Sequence, residues 1–119
     1  MIGVALIALV AAIHLGILVM EMFLWETPRV RGIFGSTAVF AANTRVLAAN
    51  QGLYNGFLAA GLILALIRGV PGAGVDLAHF ILACVVVAGL YGAATAARRI
   101  LYVQALPAVL ALVAVLFGI

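Results

Sequence analysis

Four long apolar runs, separated by short clusters of Arg, Gly and Pro, organise the chain. They cover about residues 2–25, 44–67, 76–97 and 100–119. A run of about 20 residues, at 1.5 Å per residue in a helix, matches a hydrocarbon core of roughly 30 Å. Helices are expected because a segment in lipid must satisfy its backbone hydrogen bonds internally. A β-barrel would need apolar and polar positions to alternate, and these runs do not. The pattern therefore predicts an all-α polytopic membrane protein, a single domain of four transmembrane helices over residues 1–119, assembled as an oligomer.

The breaks carry further expectations. The cluster from Arg68 to Gly74 holds three Gly and a Pro, which no helix would cross. Asp76 reads as the N-cap of the third helix, with His79 one turn on belonging to that cap. Arg98-Arg99 reads as a tight turn, and Pro107 as a kink in the fourth helix. Residues 26–43 form the longest connection. Val30, Ile33, Phe34, Val39 and Phe40 suggest that it lies along the membrane interface.

Composition sharpens this reading. Apolar residues make up 69% of the chain and charged residues 8%, too few charges to clothe a water-exposed surface. All six basic residues are Arg, and they sit in the loops rather than in a patch that would grip nucleic acid. Arg29, Arg31, Arg45, Arg98 and Arg99 fall on one side and Arg68 on the other. That bias places the first and third loops in the cytoplasm, with both termini outside. The first run is too long for a signal-peptide core and reads as a retained helix. Cys84 stands alone in an apolar run and reads as a small buried residue.

Small residues at four-residue spacing suggest where helices approach: Ala8, Ala12 and Gly16; Gly52 and Gly56; Gly89, Ala93 and Ala97. Ionisable and amide groups in the runs are costly in lipid and so need partners. Glu21, near the cytoplasmic end of the first run, is either paired with a loop Arg such as Arg29 or Arg99, or is a ligand anchor or proton carrier. His14 reads as an interhelical hydrogen-bonding group or a proton relay. The densest polar patch follows Arg45 in the second run. Asn50, Gln51, Tyr54 and Asn55 share an arc of about 140° at 100° per residue, with Gly52 and Gly56 opposite. They are expected to face other helices, as a bonding network or as one wall of a pocket opening toward the cytoplasm. Tyr91, Thr95 and Arg98 share a face of the third run, with Arg99, Tyr102 and Gln104 beyond. Arg supplies charge-assisted bonds and Tyr a hydroxyl, a donor set suited to an anion. No metal-ligand repeat, nucleophile elbow or phosphate loop is present, so metal, hydrolase and nucleotide chemistry are not expected.

The stretches Glu21-Met-Phe-Leu-Trp-Glu-Thr-Pro-Arg29, Leu47-Ala-Ala-Asn-Gln-Gly-Leu-Tyr-Asn-Gly-Phe57, Tyr91-Gly-Ala-Ala-Thr95 and Val103-Gln-Ala-Leu-Pro107 resemble a family of small bacterial membrane proteins. That family is catalogued as domain of unknown function thirteen-oh-four, and the resemblance implies no activity. Arg45, Asn50, Tyr54, Tyr91 and Arg98 are also distantly similar to the membrane-associated eicosanoid and glutathione metabolism (MAPEG) proteins. This second resemblance implies a homotrimer holding a glutathione-like thiol between subunits. The Arg-to-Asn interval is one residue too long for that family, however, and no Glu follows Asn50.

Three functions compete. The first is a protein binding an anionic or amphipathic small molecule in a cytoplasmic-side pocket. The second is a small multidrug-type exporter in which Glu21 exchanges protons for cations. The third is a non-catalytic membrane subunit whose polar groups fasten helices.

Overall fold

The computed structural model describes every residue from Met1 to Ile119, and all of its regular structure is helical. Helix α1 is Ile2–Phe23, α2 is Pro28–Phe34, α3 is Ala38–Arg68, α4 is Val75–Thr95 and α5 is Leu106–Leu116. Three stretches are long and apolar enough to cross a membrane: α1, α3 with the turn that follows it, and α4, with mean hydropathies of 2.7, 1.7 and 2.1. These mark a membrane protein. The fourth run is a shorter apolar helix, Leu101–Leu116, about 24 Å long at 1.5 Å per residue.

Several expected boundaries shift, each for a local reason. The first helix stops at Phe23 rather than residue 25, and the third at Thr95 rather than 97. The connection 26–43 is largely helical: it contains α2 and the first six residues of α3. Thr37 starts α3 early, its hydroxyl accepting from the Phe40 amide at 3.1 Å in the manner of an N-cap. Asp76 does not cap α4. Gly74 holds the N-cap position, and Asp76 lies within the first turn, where its charge suits the helix dipole. His79 forms no cap bond either; its Nε2 is buried without a hydrogen-bond partner. Pro107 does not kink a continuous α-helix. It sits in the first turn of α5, after a π-helical turn over Leu101–Ala105. Proline has no N–H to offer the carbonyl four residues back, and the preceding turn widens so that the Leu106 amide reaches the Leu101 carbonyl.

Contacts divide the chain into two compact units, residues 1–13 with 58–119, and residues 14–57. The first has a core of Ile7, Val10, Leu62, Ala65, Leu82 and Val85, joined by the alanine face of α5. Its Ala108 and Ala111 share one buried cluster with Ala78, Leu82 and Val85 of α4, and Ala114 is buried as well. Small residues let the two backbones approach closely where hydrophobicity alone supplies no preference for protein over lipid. At Gly89 a Cβ would stand 2.9 Å from the Ala105 backbone nitrogen. The turn after α3 needs Gly69 and Gly72, whose φ angles of 98° and 144° suit no larger residue.

Candidate functional site

The polar chemistry of the second unit gathers where α1 ends. Leu24 to Thr27 reverse the chain, and Thr27 fixes the reversal. Its hydroxyl donates to the Leu24 carbonyl at 2.7 Å and accepts from the Val30 amide as the N-cap of α2. Pro28 occupies the first turn of α2, where its missing N–H is harmless, and Gly35 ends the helix in the left-handed conformation.

Within this unit α1 and α3 run antiparallel in close contact. A Cβ on Gly52 would meet Met22 Cγ at 2.7 Å, Glu21 Cβ at 3.1 Å and the Leu18 carbonyl oxygen at 3.2 Å; one on Gly56 would meet Leu18 Cδ1 at 2.5 Å. The expected GxxxG approach is therefore present, and its partner is the last turns of α1. Glu21 pairs with no arginine. It accepts a 2.8 Å hydrogen bond from Asn55 Nδ2, which also donates to the Gln51 carbonyl at 3.1 Å. His14, at the start of this unit, is fully buried.

Of the four polar residues expected to face inward from the second run, only Asn55 does so. It lies at the edge of their arc, next to the glycine face, whereas Asn50, Gln51 and Tyr54 are exposed. Tyr54 stands edge-on to Phe57, ring centroids 5.7 Å apart.

Just past α1 lies an open groove of about 290 Å³ lined by Met22, Phe23, Trp25, Glu26, Thr27 and Arg45. Its Trp is held on two sides: the indole N–H donates to Thr44 Oγ1 at 3.1 Å, and the ring tilts against Phe34 at 5.0 Å. The Thr44 hydroxyl in turn donates a hydrogen bond to the Phe40 carbonyl at 2.7 Å. Glu26 and Arg45 face each other at 3.7 Å, both solvent-accessible, and Arg31 Nε donates to the Glu26 carbonyl. The groove thus joins an apolar wall to an open charge pair.

Its depth follows from α1. A helix of 22 residues spans about 33 Å, close to the hydrocarbon thickness. A span of that length would bring Phe23 to one boundary of the core and the groove to headgroup level. Met22 faces Gly52, so Gln51 is level with the end of α1 and Tyr54 lies about one turn inside.

In the other unit Tyr91 is 71% exposed. Thr95, one turn on, turns its hydroxyl back to the Tyr91 carbonyl. Tyr91 lines a broad apolar groove on one face of α4 with Phe80, Ala83, Cys84, Val87 and Ala88, and Arg98 and Arg99 are exposed. No cluster of His, Cys, Asp or Glu in the structure could hold a metal ion.

Sequence reasoning reached Glu21, Arg45 and Asn55 but overlooked Trp25, Glu26, Thr27 and Thr44 as lining or supporting residues. The signal was available. Thr27-Pro28 is a helix start, and a start so soon after a membrane run places the intervening Trp and Glu at the boundary, where Trp is favoured.

Neither a curated protein nor a solved structure matches the chain. A family model described as "Protein of unknown function (DUF1304)" matches residues 8–116. The match takes in most of α1, the groove, the α1–α3 seam and all of α3, α4 and α5, and the chain belongs to this family.

Proposed function

We propose that this membrane protein binds an amphipathic small molecule, its head in the groove at the end of α1 and its tail along the adjoining apolar surface. The observation that carries this reading is the groove lining itself, which combines the apolar side chains of Met22, Phe23 and Trp25 with the charged pair Glu26 and Arg45. Three arginines, Arg29, Arg31 and Arg45, stand on this side of α1 near a single exposed carboxylate, Glu26. That balance favours an anionic head. Arg45 is the group to hold it, because a guanidinium offers several donors to an oxyanion. The same arginines support a cytoplasmic position for this end.

The test uses full-length protein in a neutral maltoside detergent. Thermal unfolding is followed with a long-chain carboxylate, the matched alkylammonium and the matched alcohol. The carboxylate should raise the midpoint, since a ligand at 100 times its Kd stabilises by about 2.7 kcal/mol, and Arg45→Gln should remove the shift. Equal shifts from all three compounds, or an unaltered shift in Arg45→Gln, would overturn the reading.

The Glu21–Asn55 bond supports a second reading, that this polar pair fastens helices. On that reading Glu21→Gln, which preserves an acceptor for Asn55, leaves stability and ligand response unchanged. Exchange of protons for lipophilic cations, lost in Glu21→Gln, would instead favour an exporter.

A further inference from the structure

Helix α3 has 31 residues, about 46 Å at 1.5 Å per residue, and so overruns a 30 Å hydrocarbon core by roughly three turns. Because Gln51 is level with the end of α1, the excess is the amino-terminal part that precedes Asn50. Water or headgroups surround that part, as the exposed Arg45 and Glu26 require. Yet it presents bare apolar side chains. Val39 is 70% exposed and Val46 76%, about 16 Å and 6 Å beyond Asn50 along the helix. They lie beyond the level of the α1 end, and nothing in the chain covers them.

These residues belong to a regular seam. Val39, Asn43, Val46, Asn50, Leu53 and Phe57 alternate at intervals of four and three, all exposed on one face of α3. That is the 3.5-residue repeat of a helix packed on another helix. Asn43 and Asn50 fall one heptad apart, in equivalent positions. Neither amide has a hydrogen-bond partner within the chain.

We propose that this face of α3 packs in parallel against α3 of a second copy of the chain. Copies inserted by the same arginine bias share one orientation, so their α3 helices are parallel, and rotation about the membrane normal sets each residue near its own equivalent. Asn is the side chain suited to that position. Its amide carries both donor and acceptor, and Asn opposite Asn in a heptad seam fixes register. One contact thus covers valines that lie in a polar zone and gives Asn50, at the edge of the apolar zone, a partner. Leu53 and Phe57 lie at the depth of the α1 end or deeper, where lipid could cover them, whereas Val39 and Val46 lie farther out along the helix. Arg45 projects roughly 120° away round the helix, so the groove at the end of α1 stays open.

Disulfide mapping in native membranes tests this. With Cys84 first replaced by Ala, single cysteines are placed at Asn43, Val46 and Asn50 on the seam and at Arg45 off it, then oxidised with copper phenanthroline. Covalent dimers should form at the three seam positions and not at 45. As a second measurement, full-length wild-type protein in lipid nanodiscs should have the mass of two or more copies. Val46→Lys should have the mass of one copy, with its far-ultraviolet helical signal intact. Equal linking at 45 and 46, or a wild-type mass of one copy with only lipid bound, overturns the proposal.

Discussion

Gly52→Ala is the smallest change that separates close helix contact from mere tolerance of glycine. The added methyl would fall 2.7 Å from Met22 Cγ, 3.1 Å from Glu21 Cβ and 3.2 Å from the Leu18 carbonyl oxygen. Met22 is flexible and can swing aside. The other two atoms are fixed by the α1 backbone, so the helices must separate by some tenths of an ångström. Overpacking of this kind costs about 1–3 kcal/mol. Separation also stretches the 2.8 Å Asn55–Glu21 bond, and an interhelical bond in a membrane contributes about 0.6 kcal/mol. Against these stands the helix-propensity gain of Gly to Ala, about 1 kcal/mol. Gly16→Ala provides the control, because a Cβ there meets nothing within 4 Å. It collects the same propensity gain with no clash. The gain cancels between the two variants, leaving Gly52→Ala less stable than Gly16→Ala by about 1.6–3.6 kcal/mol. Gly56→Ala should fall between them, since its one close contact, Leu18 Cδ1, is the tip of a side chain that can change rotamer. Reversible unfolding in mixed micelles, driven by sodium dodecyl sulfate and followed by circular dichroism, measures all three. Superimposable curves for Gly52→Ala and Gly16→Ala would refute the close-packed seam.

Two further outcomes follow. Gly89→Ala should be less stable than Gly16→Ala by about 1–3 kcal/mol in the same assay, because the new methyl meets the Ala105 backbone rather than a movable side chain; equal stability of the two would mean that α4 and α5 are less tightly joined than the structure has them. For topology, a cysteine at Ser36 in a Cys84→Ala background should react with a membrane-permeant reagent but not with an impermeant one added outside, whereas one at Pro71 should react with both, a pattern whose reversal would overturn the orientation argued from the arginines.

How much of this could be read from the residues depends on which solvent surrounds each part. Inside lipid, Ile7 in the core and Leu9 on the surface are alike in polarity, so no amphipathic period marks the buried side of α1. Length and composition show through, which is why long apolar helices were legible. Facing directions show only through size and polarity. Gly52 and Gly56 therefore pointed correctly to a close contact, and Glu21 and Asn55 to a need for partners, whereas the identity of each partner was a matter of register that spacing along one helix does not contain. The misreading of α3 has the same origin. Residues 38–43 are mostly apolar but are parted from the second run by Asn43, Thr44 and Arg45, and so were assigned to an interfacial connection, although Thr37 offered the cap that begins the helix there. Recognising that start changes what the polar arc means. With α3 beginning at Thr44, Asn50 and Tyr54 would lie about two to three turns into the helix and deep enough to demand partners within the same chain. With α3 beginning at Ala38, its first three turns stand outside the hydrocarbon, and Asn50 and Gln51 mark the boundary itself. Apolar side chains in the wet part then become the anomaly that needs a cause, and Val39 and Val46 are the residues on which an account of this protein's assembly has to rest.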